Sequence, residues 1–446
     1  MSGCKGKDGS IIWEEGKILE RGIEYLTEIL NEEKEDKGDK EGYRKNLIAK
    51  PDHGLKQPQE ICKEPTRQEI RHAIQRIRNI RAPGEDTIVA ELIKYGGEGV
   101  MDAVHELAKL MWTTESMFQE RSTGIICLIC KKEDKLECNN YRGITFLNKT
   151  YKLFSSILNE RLKIITEKIT EEYQCGFHWN KSTIDQIFIL RQMIEKHNEH
   201  GLDLHMIFIE FKRAFDSINR ERSFGAMDKM GIPQNQTYKN DYVSNQSKSE
   251  NYNQISVPFE FNKGVKQGDG LSTTLFVLAL HNAAQEINQR GTIYAKSSQI
   301  CVYADDVVTV STLETRLRQV YKEIKEKTQQ MWLIVNEKKT KYMIVSATQK
   351  WQQIQNWKGE VKVFERVSSF KYLGNVIHKE GRISECVMDK IQLGNRAYAA
   401  NHHMLKSKII KRSAKMQIYK TLIRPVVTYR SETWTLTKSD ENFLRI

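Results

Sequence analysis

Two adjacent carboxylates, Asp305 and Asp306, interrupt an apolar run, Cys301-Val-Tyr-Ala-Asp-Asp-Val-Val-Thr-Val310. Aspartate is a poor strand residue but suits a two-residue hairpin turn, so a simple turn is the plain reading. Favoured turns of that kind usually carry Gly or Asn, and neither is present. Two carboxylates at a hairpin tip make sense where a divalent cation neutralises them, and Mg²⁺ prefers carboxylate and phosphate oxygens. A second acidic position lies upstream in Met206-Ile-Phe-Ile-Glu-Phe-Lys-Arg-Ala-Phe-Asp-Ser217. Glu210 ends an apolar strand there, and Asp216 is placed to cap a following helix. With that strand beside the hairpin, Glu210, Asp305 and Asp306 converge. Two-metal phosphoryl transfer needs such a site, with ions about 3.5–4 Å apart holding the attacking and leaving oxygens. Between the two segments, Gly264-Val-Lys-Gln-Gly-Asp-Gly-Leu-Ser272 forms a glycine-punctuated loop that lets backbone approach a ligand.

The elements that must position these residues alternate between helical stretches and short strand-like runs, an α+β signature. Expected strands are Gly124–Cys130, Met206–Glu210, Cys301–Asp305, Val307–Val310 and Tyr342–Val345, and long helical patterns occupy 150–170, 184–200, 272–289 and 313–331. Residues 14–30 have helical periodicity, and the charge run 31–41 after them reads as a solvated linker. Pro51, Pro58 and Pro65 place a boundary near 60–65, where Thr66 and Glu69 predict a capped helix start. Residues 234–254 are rich in Asn, Gln, Ser and Lys and read as a long loop. The expected organisation is an N-terminal helix with its linker (1–64), a central α+β region (65–378) and a basic helical region (379–446).

Composition narrows the function classes. A chain of 446 residues with 39% hydrophobic and 29% charged residues has room for two or three folding units and too much apolar content for bulk disorder. Its formal net charge of +12 points to a polyanionic partner, nucleic acid before an acidic membrane surface, with plain solubility as the bland alternative. No run approaches the roughly 18 apolar residues of a membrane span, and the N-terminus has no secretory signal pattern. The eight cysteines are scattered, which suits a reducing, intracellular compartment, nuclear or cytoplasmic. Cys127 and Cys130 lie in an alternating strand with no second pair at zinc spacing, so strand core is the better reading. Residues 379–446 hold 14 Lys plus Arg against 6 Asp plus Glu. Lys408, Lys411, Arg412 and Lys415 are expected on one helical face, either simply solvated or lining a groove for a phosphate backbone.

Taken together, the motifs resemble those of the reverse transcriptases of non-LTR (LINE-type) retrotransposons. Tyr303-Ala-Asp-Asp306 matches the family's Y/F-A-D-D box, and Phe211-Lys-Arg-Ala-Phe-Asp-Ser217 matches its D-F-x-x-A-F-D-S motif after the first residue. Gly264-Val-Lys-Gln-Gly-Asp269 matches its G-V-x-Q-G-D loop. Ala82-Pro-Gly-Glu-Asp86, Asn140-Tyr-Arg-Gly-Ile144 and Glu172-Tyr-Gln-Cys-Gly-Phe177 resemble its fingers motifs. Asn336-Glu-Lys-Lys-Thr340 and Phe370-Lys-Tyr-Leu-Gly374 resemble its later palm motifs, and Ser431-Glu-Thr-Trp434 a C-terminal box.

The resemblance implies a right-hand polymerase with fingers, a palm carrying an antiparallel sheet, and a partial helical thumb at 379–446. It also implies the site. Glu210, Asp305 and Asp306 would be the catalytic metal ligands, for Mg²⁺ or, as an alternative, Mn²⁺. Arg142 would pair with the incoming triphosphate, and Phe215 would be the steric gate against a ribose 2′-OH, with Phe211 beside the nucleotide. Gln267 and Gly268 would border nucleotide and template, and Lys339 would lie near the leaving pyrophosphate as a general acid. Template RNA, primer DNA and dNTPs are the implied partners, with no membrane and the oligomeric state open.

Several positions depart from the family pattern. Glu210 stands where the family has Asp, which pushes the carboxylate out by about 1.5 Å, one C–C bond. Gly270 and Thr273 replace prolines, so the 264–272 loop is expected to be looser. Arg430 stands where a Gly is expected. The chain reads as a clipped copy, lacking the endonuclease that precedes this polymerase and part of the thumb. The expected function is RNA-directed DNA polymerisation weakened by Glu210, and the alternative is a catalytically silent nucleic-acid-binding relic of the same fold.

Overall fold

In the computed structural model the described residues are 3–31, 63–115, 123–131, 134–170, 172–232, 246–251, 254–285, 287, 298–346, 356–358 and 363–445. The chain forms two compact units: Met1–Glu171, Lys212–Glu286 and Lys327–Ile334 make the first, and Glu172–Phe211, Ile287–Glu326 and Val335–Ile446 the second. These units cut across the segments 1–64, 65–378 and 379–446, because packing joins stretches that are distant in sequence. Elements are numbered along the chain.

The first unit begins with a hairpin, β1 (Cys4–Lys5) and β2 (Ile11–Ile12), and helix α1 (Glu15–Leu30). Ile18, Tyr25, Leu26 and Leu30 recur at helical spacing and are buried with Cys4, Ile126, Cys138, Phe259 and Phe261. The N-terminal helix is thus part of this core rather than an appendage. Helices α2 (Arg67–Arg76), α3 (Ala90–Tyr95), α4 (Gly97–Thr113) and α5 (Lys149–Ile169) follow, with α2 packed on α4 and α5. The sheet has the order β4-β3-β6-β7, with β8 also on β6. Its strands are β3 (Gly124–Cys130), β4 (Tyr141–Phe146), β6 (Gln246–Asn251), β7 (Gln254–Ile255) and β8 (Phe259–Glu260).

Strand β6 corrects the reading of 234–254 as a loop throughout. It pairs in parallel with β3, Gly124 opposite Ser247 and Cys127 opposite Glu250. Ser247 and Ser249 are buried in alternation with half-exposed Lys248 and Glu250, so the period of a strand is present but written in serines. Residues 233–245 and 252–253, like the linker 32–62 with Pro51 and Pro58, lie outside the described residues.

The second unit holds helix α6 (Thr183–Glu199) and a six-stranded sheet of order β12-β13-β11-β5-β10-β9. Its strands are β5 (Leu204–Ile209), β9 (Ser298–Tyr303), β10 (Asp306–Ser311), β11 (Lys341–Val345), β12 (Asn356–Lys358) and β13 (Val363–Arg366), and a separate hairpin is made by β14 (Ser369–Tyr372) and β15 (Asn375–His378). Every residue of β5 is buried. Leu204, Met206 and Phe208 pack with Val308, Val310, Met343 and Val345 against Ile187, Leu190 and Ile194 of α6. A strand covered on both faces loses the polar alternation of a half-exposed one, which is why Leu204-His-Met-Ile-Phe-Ile209 is nearly all apolar.

Two short helices, α7 (Ala214–Ser217) and α8 (Arg220–Lys229), and the core helix α9 (Gly270–Ala284) return to the first unit, where α9 packs on α5 and α8. Helix α10 (Glu314–Gln330) begins in the second unit, whose C-terminal part is α11 (Ser384–Ala400), α12 (His402–Lys406), α13 (Arg412–Ile418), α14 (Arg424–Val427) and α15 (Lys438–Arg445).

A buried cation ties the start of α2 to α5. Thr66 and Glu69 form the expected capping box, and the Glu69 carboxylate also receives Arg161 Nε at 2.7 Å and Nη2 at 2.8 Å. Arg161 is 8% exposed and donates further to the carbonyls of Lys63 and Glu64, with its guanidinium over the Trp112 ring. Burial works against the charged Glu69, but the Arg161 and Thr66 donors outweigh it and hold its carboxyl below the ordinary 4.5. That stabilisation is present above the ordinary range and is lost as pH falls through the lowered folded value. Replacing Arg161 by Ala strands the carboxylate and should cost about 3–5 kcal/mol in urea unfolding at neutral pH. The loss should shrink as the pH is lowered through the Glu69 titration, and a pH-independent loss would refute the pairing as its cause.

Candidate active site

The acidic centre lies in the second unit. The β9–β10 hairpin turns on Ala304 and Asp305, since Tyr303 pairs with Asp306 and Asp306 already belongs to β10. The two carboxylates are therefore not both at the tip, as the sequence suggested. The turn requires a left-handed residue, and Ala304 takes it at φ +56° in place of the usual Gly or Asn. Next along the sheet, Val307 pairs with Ile209, so continuing that register by one residue sets Glu210 beside Asp306. On the other side of β5, Lys341 pairs with Phe208, and the chain before it folds back so that Asn336 N–H donates to Glu210 O at 2.6 Å. Lys339 Nζ lies 3.0 Å from Glu210 Oε2. Phe211 is buried and bridges to Val335.

Charge is concentrated at this sheet end. Burial first, then the charges of Asp305 and Glu210, push the Asp306 carboxyl up to about 7, while Lys339 opposes the rise. Carboxylate oxygens gathered in this way suit a hard divalent cation. Among the described residues, however, no three His, Cys, Asp or Glu side chains are already gathered as a metal site. Asp305 and Asp306 fit such an ion by donor chemistry. Glu210, one bond longer than Asp, has its Oε2 on the Lys339 ammonium.

The hairpin tip is braced by a segment that the sequence placed only as a fingers motif. Cys175 N–H donates to Val302 O and Val302 N–H to Tyr173 O, both at 2.9 Å. Gln174 Oε1 accepts from Gly176 N–H and Ala304 N–H, and Gln186 Nε2 donates to the carbonyls of Tyr173 and Val302. Gly176 is needed for closeness, because a Cβ there would lie 2.3 Å from Ala304 N. Nothing in the local pattern of Glu172–Phe177 foretold this contact.

The expected nucleotide-binding residues other than Phe211 lie together in the first unit. Arg142 stands exposed on β4. Phe215 on α7 stacks on Phe276 of α9, ring centroids 4.5 Å apart. Thr145 N–H of β4 donates to Gln267 O at 2.7 Å, and Gly268, at φ +123°, lies so near Thr145 O that a Cβ would come within 2.7 Å. Asp269 caps α9 through Leu271 N–H and accepts from Tyr151 Oη at 2.8 Å. Lys266 is buried with its ammonium over the Tyr151 ring, and Ser272 Oγ donates to its carbonyl. The loop is thus tied down despite Gly270 and Thr273, contrary to the looseness expected of it. Asp216 does not cap α8, whose cap is Asn219 accepting from Arg222 N–H. Its carboxylate instead accepts from Gln267 Nε2. Burial raises the Asp216 carboxyl above its ordinary range, and the Gln267 hydrogen bond with the charges of Lys131, Arg213 and Arg142 offsets only part of that rise.

These features meet a family. The model of "Reverse transcriptase (RNA-dependent DNA polymerase)" matches residues 129–377, more than half of the chain and spanning the acidic pair, the Glu210 strand and the glycine loop. The chain belongs to the reverse transcriptase family. It is 24% identical over 382 residues to a probable RNA-directed DNA polymerase from transposon X-element of Drosophila melanogaster, covering 82% of this chain and 41% of that protein. It is 23% identical to the Pol polyprotein of the type-1 retrotransposable element R2 of Popillia japonica, covering 57% and 37%. A third relative, the transposon TX1 149 kDa protein of Xenopus laevis, is 23% identical over 55% of this chain and 19% of its own length. The chain thus spans less than half the length of each of these relatives. Apo telomerase from Candida tropicalis has 13% identity and a TM-score of 0.44 over 74% of this chain and 60% of that one, too distant to carry an argument.

The described helices and mixed sheets of this reverse transcriptase are of the α+β class, and no described helix is long and apolar enough to cross a membrane. The basic residues of its C-terminal part differ from expectation. Lys408 lies in a bend, Lys411 is the N-cap of α13, and of the four only Arg412 and Lys415 are on that helix, so no single helical face carries them all. Lys408, Lys411 and Arg412 are nonetheless exposed, as the solvated reading requires. Arg430 sits at φ +65°, which explains why a glycine suits that position.

The brace on the hairpin gives a test. Substituting Gly176→Ala should destabilise the protein by about 1–3 kcal/mol, since backbone must move to admit the methyl group. Ala304→Gly should be tolerated, because glycine accepts the left-handed turn without strain. Thermal unfolding of the two variants decides this, and equal stability of Gly176→Ala and the parent would refute the close approach.

Proposed function

We propose that this chain is the polymerase portion of a non-LTR retrotransposon protein, copying template RNA into DNA from a primer 3′-OH with dNTPs. The observation that carries the reading is the register that brings Asp305, Asp306 and Glu210 to one end of a buried sheet, within a family match that spans all three. Asp305 and Asp306 would hold Mg²⁺ or Mn²⁺, which when bound activates the primer hydroxyl and neutralises the phosphates. Arg142 offers a guanidinium for the triphosphate, and the Phe215 ring, backed by Phe276, supplies a rigid wall against a 2′-OH. Gln267 and Gly268 border the nucleotide through a loop fixed to β4. Lys339 would act as a proton donor, with one of its N–H groups directed at Glu210. Exposed Lys408, Lys411 and Arg412, with the half-buried Lys415, would contact the nucleic-acid backbone.

The Glu210–Lys339 pair favours the second reading, a nucleic-acid-binding relic, since it occupies both a ligand and the proposed acid. Primer extension on an RNA template separates the two. The native chain should extend slowly with Mg²⁺ or Mn²⁺, Glu210→Asp should extend about a hundredfold faster, and Asp305→Asn should abolish extension. Equal rates for the native chain and Glu210→Asp would remove Glu210 as the cause of weakness. Salt-sensitive RNA binding with no extension by either protein would establish the relic instead.

A further inference from the structure

The proposed mechanism leaves Asp216 unused, although it stands at the centre of the first unit's loop cluster. Its carboxylate accepts from Gln267 Nε2. Its backbone is pinned to the same loop from both sides: Val265 N–H donates to Phe215 O and Gly264 N–H to Ile218 O, each at 2.8 Å. Gly264, at φ +78°, comes so close that a Cβ would lie 2.7 Å from Asp216 O. Gln267 is held at its backbone by Thr145 N–H on its carbonyl and at its side chain by the Asp216 carboxylate.

We infer that Asp216 is a positioning residue that fixes which end of the Gln267 carboxamide faces the nucleotide. A carboxylate offers acceptors only, so it takes the amide NH₂ and turns the carbonyl Oε1 the other way. Gln267 then presents an acceptor, matched to a donor such as a sugar hydroxyl or a base amino group. Without Asp216 the amide is free to flip and present a donor, and part of the nucleotide population meets the wrong end. This rests on Gln267 bordering the nucleotide as proposed above. The neutral isostere Asn keeps an acceptor oxygen for Nε2, whereas Leu keeps the volume and loses it.

The test is run in the Glu210→Asp background, with two readouts. Hydrogen–deuterium exchange follows the amides of 264–269, and steady-state primer extension gives KM for dNTP and kcat. Asp216→Leu should speed exchange in the loop and raise KM about tenfold with kcat within about twofold, while Asp216→Asn should stay near the parent in both. Gln267→Leu should raise KM to the same extent, and the double variant Asp216→Leu/Gln267→Leu should be no worse than either single one, because both remove one interaction. An additive double effect of about a hundredfold, or Asp216→Asn as impaired as Asp216→Leu, would overturn the positioning role. So would unchanged loop exchange in Asp216→Leu, a result that holds even if no variant extends a primer. Absence of extension in the parent alone, with exchange responding as expected, would count against the polymerase reading and not against the Asp216–Gln267 pairing.

Discussion

The second unit depends on a strand with nowhere to slip. β5 is buried along its whole length between β10 and β11, and a shift of one residue would turn every side chain to the opposite face. That constraint sets the register, and the register sets the chemistry. With Val307 opposite Ile209 and Lys341 opposite Phe208, the residues at one end of the sheet are Asp306, Glu210 and the turn before Lys341. Apolar burial thus delivers polar groups to one place without any of them contributing to the packing.

Such an arrangement carries a cost that the surrounding structure offsets. Like charges gather where water is partly excluded, and Asp306 holds its proton up to about pH 7 as a result. The turn between the strands puts a non-glycine residue in left-handed backbone, a strain of order 1–2 kcal/mol. Hydrogen bonds from Gln174, Cys175 and Gln186 hold the hairpin against that strain, and Gly176 makes the approach possible. In the first unit the same economy appears in another form: one loop, 264–269, is bound to β4 by Thr145, to α7 by Phe215 and Asp216, and to α5 by Tyr151.

Glu210, paired with Lys339, is one of the positions at which this chain departs from the motif pattern it resembles. An aspartate at 210 would end one bond sooner, farther from the ammonium. The longer side chain reaches it at 3.0 Å. The departure is local. The strand, the hairpin and their pairing are intact around it.

Strong periodic signals were legible in the sequence. The apolar runs of β3, β5, β10 and β11, the helices of 149–169 and 183–199 and the capping box at Thr66 all form close to where residue types placed them, because burial and capping act over a few neighbouring residues. The acidic residues and the glycine loop were legible as chemistry for the same reason. What stayed hidden depends on contacts between distant segments. β6 carries serines where apolar residues would announce a strand, and only its pairing with β3 makes it one. The turn moved to Ala304–Asp305 because strand register, not turn propensity, decides which residues are left over. Asp216 reads as a helix cap until Gln267, from another part of the chain, takes its carboxylate. Composition and spacing determined which groups this protein has to work with; the tertiary structure decided which of them meet, because a side chain's partner is chosen by packing across the chain and not by its neighbours along it.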